Sequence, residues 1–567
     1  MLPLRSDAGR HLRVGLLLDG LVVPAWVRLM IERVRATGCA SIVLVVVGAT
    51  TKTSAATPRG FAAKTRGVLE RWAVEPKVRA GDAFEQFDVS TELAGVTVLQ
   101  AARRGAGDST AEYDAAERDE IEAHNLDLLV DLGSVRLGGG ILSAARHGVW
   151  SYSNVGALAG FWEFAEGRPE IRTSLELVTA AGAKTLYESA SSIERTSCST
   201  SRNRAYWKAA SFVPRAVEAL YREGAEAFTR RTAALPSALP ADRRRPGIAK
   251  LAAVAGTRFV EQRRSRMLRR LSREQWFLLY AFGATPSEDY RSFKSLVPPE
   301  DRAWADPHIV ARDGRHYVFL EEYLYETDRA HISVLTLDAS GAVGSPVPII
   351  ERPYHLSYPH VFNWRGDYYL VPESKQNGTI EVYRCTEFPY RWQLATVLMD
   401  NVAAVDATLL EHGGRWWLFA NMVENAGASS WDELFLFSAD SPLSRHWTPH
   451  PLNPIVSDVK RARPAGPIFT RDGRLFRPSQ NSAYRYGHSF NINEITELTP
   501  TAYQERVVET VEPNWDPSIF ATHTFASEHG LTVIDGMKRF WRWPLRRYRS
   551  GLRPTKYAPH TSGERVQ

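Results

Sequence analysis

The chain has 567 residues, and at roughly 100–200 residues per domain that length predicts several domains rather than one core. Hydrophobic residues at 44%, charged residues at 24% and 32 prolines exclude a mainly disordered, collagenous or coiled-coil chain. Seventy Lys and Arg against 64 Asp and Glu leave a net charge of +6, too little over this length to argue for nucleic acid, so no nucleic-acid partner is expected. The informative excess is aromatic: 16 Trp, 21 Tyr and 23 Phe.

Cys39, Cys198 and Cys385 lie far apart, without C-x-x-C or C-x-x-H spacing. Neither a disulfide framework nor a metal site is expected, and a reducing compartment fits. The apolar run from Val14 breaks at Asp19 and Gly20, unlike a signal peptide. No uninterrupted apolar span of about 18 residues occurs, so the expected location is cytoplasmic, peripheral to the inner membrane face where basic segments meet it.

In chain order, RVGLLLDG, PAWVRLMIERVRATG and SIVLVVVGA read as a β-α-β unit with buried parallel strands. A helix-like AEYDAAERDEIEAHN precedes a third strand at Leu126 to Leu132. Residues 12–230 are therefore expected to form an open, mostly parallel α/β sheet, with RNRAYWKAASFVPRAVEALYREGAEAFTRR continuing as amphipathic helix. Residues 231–275 read as a Pro/Arg-rich linker followed by a basic helix, RRSRMLRRLSREQW. That helix is either a solvated face or a docking element for an anionic membrane surface or glycan.

From 276 to 545 the texture changes to short aromatic strands and turns. ADPHIVARDGRHYVFLEE, SYPHVFNWRGDYYLVPES, VDATLLEHGGRWWLFANM, ARPAGPIFTRDGRLFRPSQN and THTFASEHGLTVIDGMK share one grammar: polar residue, strand, Gly-containing turn, strand, polar residue. Asp306, Tyr358, Asp406, Arg463 and His523 occupy equivalent positions at intervals of 52, 48, 57 and 60 residues, enough for a four-stranded blade each, so an all-β five-bladed propeller is predicted. A hairpin puts its first and last residues at one end, so Glu321, Glu373, Asn421, Gln480 and Asp535 join the same rim. Such a mouth suits a polyhydroxylated ligand. Residues 546–567 form an Arg-rich tail without periodicity, expected to be disordered.

HGVWSYSN, GFWEFAEGRP, SLELVTAAGAKTLYES and RNRAYWKAASFVPRAVEAL resemble the formyltransferase family, in particular a bacterial subgroup that joins such a domain to a propeller. The resemblance implies transfer of a formyl group from 10-formyltetrahydrofolate to an amine, with an Asn-x-His and a downstream Asp as machinery. Matching GVWS puts Ser151 and Ser153 at the Asn and His positions, with Asn154 next, and matching AAGA puts Ala181 at the Asp position. His147 and Glu163 flank the degenerate site. A serine hydroxyl is not basic near neutral pH. The readings are a decayed scaffold, a pocket repurposed for a sugar nucleotide or folate, or residual sugar-amine formyl transfer. The expectation is an inactive domain, a pseudoenzyme, with no cofactor; 10-formyltetrahydrofolate enters only if the site is active.

ADPHIV, SYPHVF, VPES, VDATLL with WWLF, and RPAG with RPSQN resemble the N-terminal domain of plant glucosamine inositolphosphorylceramide transferase and, more distantly, five-bladed glycosidases. The glycosidase resemblance makes Asp306, Glu373 and Asp406 the candidate catalytic carboxyls. Glu321, Tyr358, Asn421, Arg463, Gln480, His523 and Asp535 are the candidate ligand-binding residues. The expected function is carbohydrate recognition in surface-glycan or glycolipid synthesis, with a carbohydrate or sugar-nucleotide ligand. The alternatives are a propeller glycosidase or glycosyltransferase, and a purely structural propeller.

Overall fold

A computed structural model describes residues 11–48, 61–74, 81–104, 110–133, 135–153, 160–235, 246–283, 290–338, 341, 343–425 and 427–541. The chain divides into two compact units, with the main boundary between Gln262 and Arg263. Asn154 and the tail at 546–567 lie outside the described residues.

The first unit is built on a seven-stranded sheet of β1 (Leu12–Leu18), β2 (Ala40–Gly48), β3 (Thr97–Ala101), β4 (Leu128–Asp131), β5 (Val149–Tyr152), β6 (Glu170–Thr179) and β7 (Gly182–Ser192). Their order is β3-β2-β1-β4-β5-β6-β7, parallel from β3 through β5 and antiparallel at β6 and β7. The continuous apolar runs of β1 and β2 reflect burial on both faces, since Leu16 and Val45 pack into one cluster and Leu17 and Val46 into another. The helix Ala115–Glu122 starts where Asp114 and Glu117 form a reciprocal capping box. The amphipathic stretch after residue 198 is three helices, Cys198–Ala209, Phe212–Glu223 and Ala225–Ala233; the second buries Phe212, Val213, Val217 and Leu220.

The basic helix is longer than its arginines suggest and ends sooner. It spans Ile248–Leu271, beginning inside the segment read as linker, and SREQW opens the strand Ser272–Phe282. The aromatic and β-branched run that follows, WFLLYAF, fits a pleated surface better than a helix, and its pairing with Leu531–Trp541 decides the matter.

The second unit is a five-bladed propeller. Four blades are four-stranded antiparallel sheets, headed by inner strands Arg302–Arg312, Ser357–Trp364, Ala404–His412 and Phe469–Arg471. The fifth combines both ends of the unit: Ile519–Ala521 and Phe525–Glu528 pair with Leu531–Trp541, which pairs with Ser272–Phe282, and that strand with Lys294–Leu296. The ring therefore closes through residues that precede the first repeat, which leaves no open edge between first and last blades.

Tyr358 fastens the centre. Its hydroxyl lies 2.8 Å from Thr408 Oγ1, donates to the Gly466 carbonyl at 3.0 Å and accepts from the Gly466 N–H at 2.9 Å, tying second, third and fourth repeats together. Gly466 adopts φ 136°, and a Cβ there would lie 2.0 Å from the Phe525 carbonyl oxygen. Gly466→Ala should therefore cost about 3 kcal/mol or more. Gly473, at φ 72° in a blade turn with nothing within 4 Å, is the comparison; its Ala variant should cost about 1–2 kcal/mol. Denaturant titration of both variants checks this, and equal losses would contradict the packing argument.

Candidate functional site

The polar residues that open the inner strands face the channel because the backbone is bent there. Asp306, Tyr358 and Asp406 have φ of 53°, 45° and 53°. At each, the pairing register slips: Ala305 opposes Glu321 but His308 opposes Phe319, and the same two-against-one step falls between Ser357 and His360 and between Val405 and Thr408. A bulge of this kind leaves one residue unpaired and re-aims its side chain. Proline at 307 and 359 suits the unpaired place, having no N–H to satisfy. The last two repeats break differently: Arg463 precedes a strand that begins only at Phe469, and His523 sits in the gap between Ile519–Ala521 and Phe525–Glu528.

The side chains so gathered form two charge clusters. In one, Arg463 grips Asp406 bidentately, Nε to Oδ2 at 2.5 Å and Nη2 to Oδ1 at 3.1 Å, and reaches Glu373 Oε2 at 3.4 Å. Gln480 donates to Asp406 Oδ2 at 3.1 Å. In the other, His523 Nε2 lies 3.2 Å from Asp306 Oδ1, and Nδ1 lies 2.7 Å from Asp535 Oδ2 at an angle outside hydrogen-bond geometry. Asp535 also accepts from the backbone N–H of His523 and Thr524 and from the Thr524 hydroxyl. Asp306 accepts from the Tyr358 N–H at 3.3 Å. Asn421 stands apart from both clusters, donating to the Ser430 carbonyl at 3.2 Å.

Protonation follows from burial and neighbours. Burial opposes the imidazolium of His523, but Asp535 and Asp306 outweigh it and raise its pKa to about 10. Burial and then the Asp306 charge push the Glu321 carboxyl well above the usual carboxylate range, and His355 Nε2 lies 3.4 Å from its Oε1. Burial also acts on Asp306 itself, yet His523, Arg463 and the contact with Glu321 carry its pKa below the usual carboxylate value. Burial raises Asp406, with Glu373 adding to it and Arg463 opposing.

One ligand atom from each of Asp306, His523 and Asp535 lies within 4.8 Å of the others, a spacing a cation could bridge. The protonated imidazole already occupies the place between the two carboxyl groups. Glu321 and Glu373 keep 14% and 12% of their side-chain surface exposed, which makes them the accessible acids of the rim, whereas Asp406 at 1% and Asp535 at 0% lie beneath it.

Three further residues belong to this site without having been singled out in the sequence. Tyr486 lies under the Arg463 guanidinium, 5.0 Å from the ring centroid, and 5.4 Å from the His523 ring. Trp276, from the closing strand, packs 4.2 Å from His523. Lys375, in the short turn Lys375–Asn377, senses Glu373 and Arg463, with burial lowering its pKa. Only Lys375 was within reach of sequence reasoning, two residues after Glu373.

In the first unit the structure separates residues that the formyltransferase alignment groups together. Ser153 lies past the C-terminal end of β5, where its hydroxyl accepts from the Ser174 N–H at 2.9 Å and contacts Ser174 Oγ. Ser151 pairs with Glu176, whose carboxyl is raised by burial and accepts from Ser174 Oγ at 2.8 Å. Ala181 sits in the turn between β6 and β7, beyond Thr179, which pairs with Gly182. Five strand residues separate that rung from Ser174, roughly 17 Å at the usual rise. Ala181 therefore lies in the hairpin turn at the end of the ladder away from Ser153. His147 precedes the other end of β5, its N–H on the Asp127 carbonyl at 2.7 Å, and it does not flank Ser153.

Residues 298–518 match the family model for the N-terminal domain of glucosamine inositolphosphorylceramide transferase 1. The protein of that name from Oryza sativa subsp. japonica is 33% identical over 204 residues, 35% of this chain and 27% of the relative. Its counterpart from Arabidopsis thaliana is 32% identical over 204 residues, covering 35% and 26%. The match thus spans about a quarter of the length of these relatives. Among solved structures, the α-L-arabinofuranosidase from Podospora anserina is similar at 13% identity over 46% of this chain and 97% of its own, with a TM-score of 0.33. A family 117 glycoside hydrolase from Zobellia galactanivorans aligns at 13% identity over 48% and 91%, with a TM-score of 0.31. The propeller resembles the transferase N-terminal domain.

His523 supplies a test of the charge arrangement. Its folded-state pKa of about 10 stands above the ordinary value of about 6.5, so protonation favours the fold. The contribution is complete below about pH 6.5 and is lost as pH rises towards 10. Thermal melts across this window should show the wild-type protein losing stability and His523→Gln much less so. The variant should be less stable by about 3–5 kcal/mol near neutral pH, with two facing carboxyls unpaired. Parallel profiles would refute a charged His523.

Proposed function

We propose that the propeller mouth binds a polyhydroxylated headgroup, of the glucosamine or inositol kind suggested by the relatives' name, in glycan or glycolipid synthesis, and that it binds without hydrolysing. The carrying observation is the state of its carboxyls. Asp306 and Glu321 lie in direct contact at the rim and shift one another in opposite directions, Asp306 below and Glu321 above the ordinary carboxylate range. A glycosidase pair needs about 5–5.5 Å between carboxyls for retention or 6.5–9.5 Å for inversion, so these two do not flank a glycosidic bond. Asp406 is engaged by Arg463 on both oxygens. The partly exposed groups that remain, Glu321, Glu373, Lys375, Tyr486 and Trp276, offer hydroxyl-binding oxygens, a cation and ring faces.

Calorimetry with glucosamine, inositol phosphates and an oligosaccharide panel tests this reading. Glu373→Ala, Lys375→Ala and Tyr486→Ala should each weaken binding by about 1–3 kcal/mol with no product formed. Hydrolysis or sugar transfer that disappears in Glu321→Gln or Asp306→Asn would overturn it. Asp306, Glu373 and Asp406 are accordingly assigned to binding and to holding the mouth, not to catalysis.

For the first unit the proposal is a formyltransferase-like scaffold without formyl transfer. The described residues do not fit the chemistry of a formyl-tetrahydrofolate carrier: a serine engaged by Ser174 stands where the family has its basic His. Full-length protein given 10-formyltetrahydrofolate and amino-sugar nucleotides should yield no formyl amide above background. Product that is abolished by Glu176→Gln would defeat the proposal.

A further inference from the structure

The junction where the long helix enters the propeller carries a surface that the mouth does not use. From Arg263 to Arg273 the sequence holds six arginines, at 263, 264, 266, 269, 270 and 273, and no carboxylate. Arg266, Arg269 and Arg270 are exposed and make no ion pair among the described residues. Arg269 donates to Ser265 Oγ at 2.8 Å. The acid that follows, Glu274, is already held by Arg485 at 2.9 Å and Arg539 at 2.7 Å.

Large apolar side chains stand in the open among these charges. Met267 and Leu271 are 54% and 48% exposed and, four residues apart on the helix, share a face. The closing strand ends beside them: Ser272 pairs with Trp541 and Arg273 with Phe540. Trp541 is 63% exposed and Phe540 43%. A fold that buries Trp26, Trp150 and Trp417 nearly completely leaves this one open, near the exposed Arg266, Arg269 and Arg270 of the helix.

We infer that this junction docks on an anionic lipid surface. Arginines alone would suit any polyanion. Exposed Trp, Phe, Leu and Met beside them add what only a bilayer interface receives, apolar groups entering the headgroup and acyl boundary while guanidinium groups meet phosphate. Docking is independent of what the mouth binds.

The test is co-sedimentation of the full chain with phosphatidylcholine vesicles, with and without phosphatidylglycerol, at two salt concentrations. Binding should require the anionic lipid and weaken as salt rises. Replacing Arg266, Arg269 and Arg270 together by Glu should reduce partitioning at least tenfold. Trp541→Ser combined with Leu271→Ser should also reduce it while leaving the salt dependence in place. All are surface substitutions, and an unchanged thermal melt confirms that the propeller is intact; a set that melts lower is replaced by Arg→Gln at the same positions, with the same loss expected. Equal binding to neutral vesicles, insensitivity to charge reversal, or capture of soluble heparin without vesicle sedimentation would overturn the inference.

Discussion

Radial closure forces five strand heads together, and in this chain several of those heads are acids. Asp306 and Asp406 come from the first and third blades, and Glu321, Glu373 and Asp535 arrive on return strands. Left alone, that arrangement would place several like charges in a region shielded from water, a cost that neighbouring blades have to offset. The fourth blade supplies Arg463 against Asp406 and the fifth supplies His523 against Asp306. Arg463 and His523 thus each tie their blade to the neighbouring one, while His523 also faces Asp535 of its own blade and Arg463 also reaches Glu373. The Glu321 carboxyl, pushed up by burial and by Asp306, lessens the remaining excess.

The backbone shares that cost. Asp tolerates the left-handed region moderately well, but tyrosine does so poorly, and Tyr358 at φ 45° stays there because its hydroxyl is held by Thr408 and Gly466 while its N–H is held by Asp306. Strain at the rim thus exists only where hydrogen bonds over-determine it. Hydrogen bonds of this kind pre-organise the mouth, which would limit the ordering that the proposed binding requires.

Much of this was legible in the sequence because the repeat has a physical period. A Gly-containing turn between aromatic strands recurs once per blade, so aligning the turns aligns the polar residues that flank them, and Asp306, Tyr358, Asp406, Arg463 and His523 could be placed on one rim. What the repeat does not encode stayed hidden. Tyr486 lies in a loop between strands of the fourth blade, and Trp276 lies on a strand more than 250 residues from its partner in the closing pair, a purely non-local pairing. The bulges were equally silent, since Asp and Tyr seldom take positive φ by themselves and the strand pairing that holds Asp306, Tyr358 and Asp406 there is not written in their immediate sequence. In the first unit the error ran the other way: a short motif match placed Ala181 beside Ser153 when strand rise alone puts them at opposite ends of one ladder.

The distinction between binding and hydrolysis comes down to where protons and counterions sit, not to how many carboxyls the rim contains. An acid that protonates a leaving group must hold its proton facing the substrate, with the partner carboxylate across the bond to be broken. Here Asp306 faces Glu321, whose carboxyl is pushed up by burial and by that charge, and Asp306 is also 3.2 Å from His523. Asp406 is shared with Arg463 and Gln480. Among the described rim residues Asp306, Asp406 and Asp535 each face a cation, and Glu321 and Glu373 keep part of their surface open to solvent. If the mouth binds without hydrolysing, as proposed, moving it towards catalysis would require removing a cation rather than adding an acid, and the fold would then have to carry the resulting buried charge.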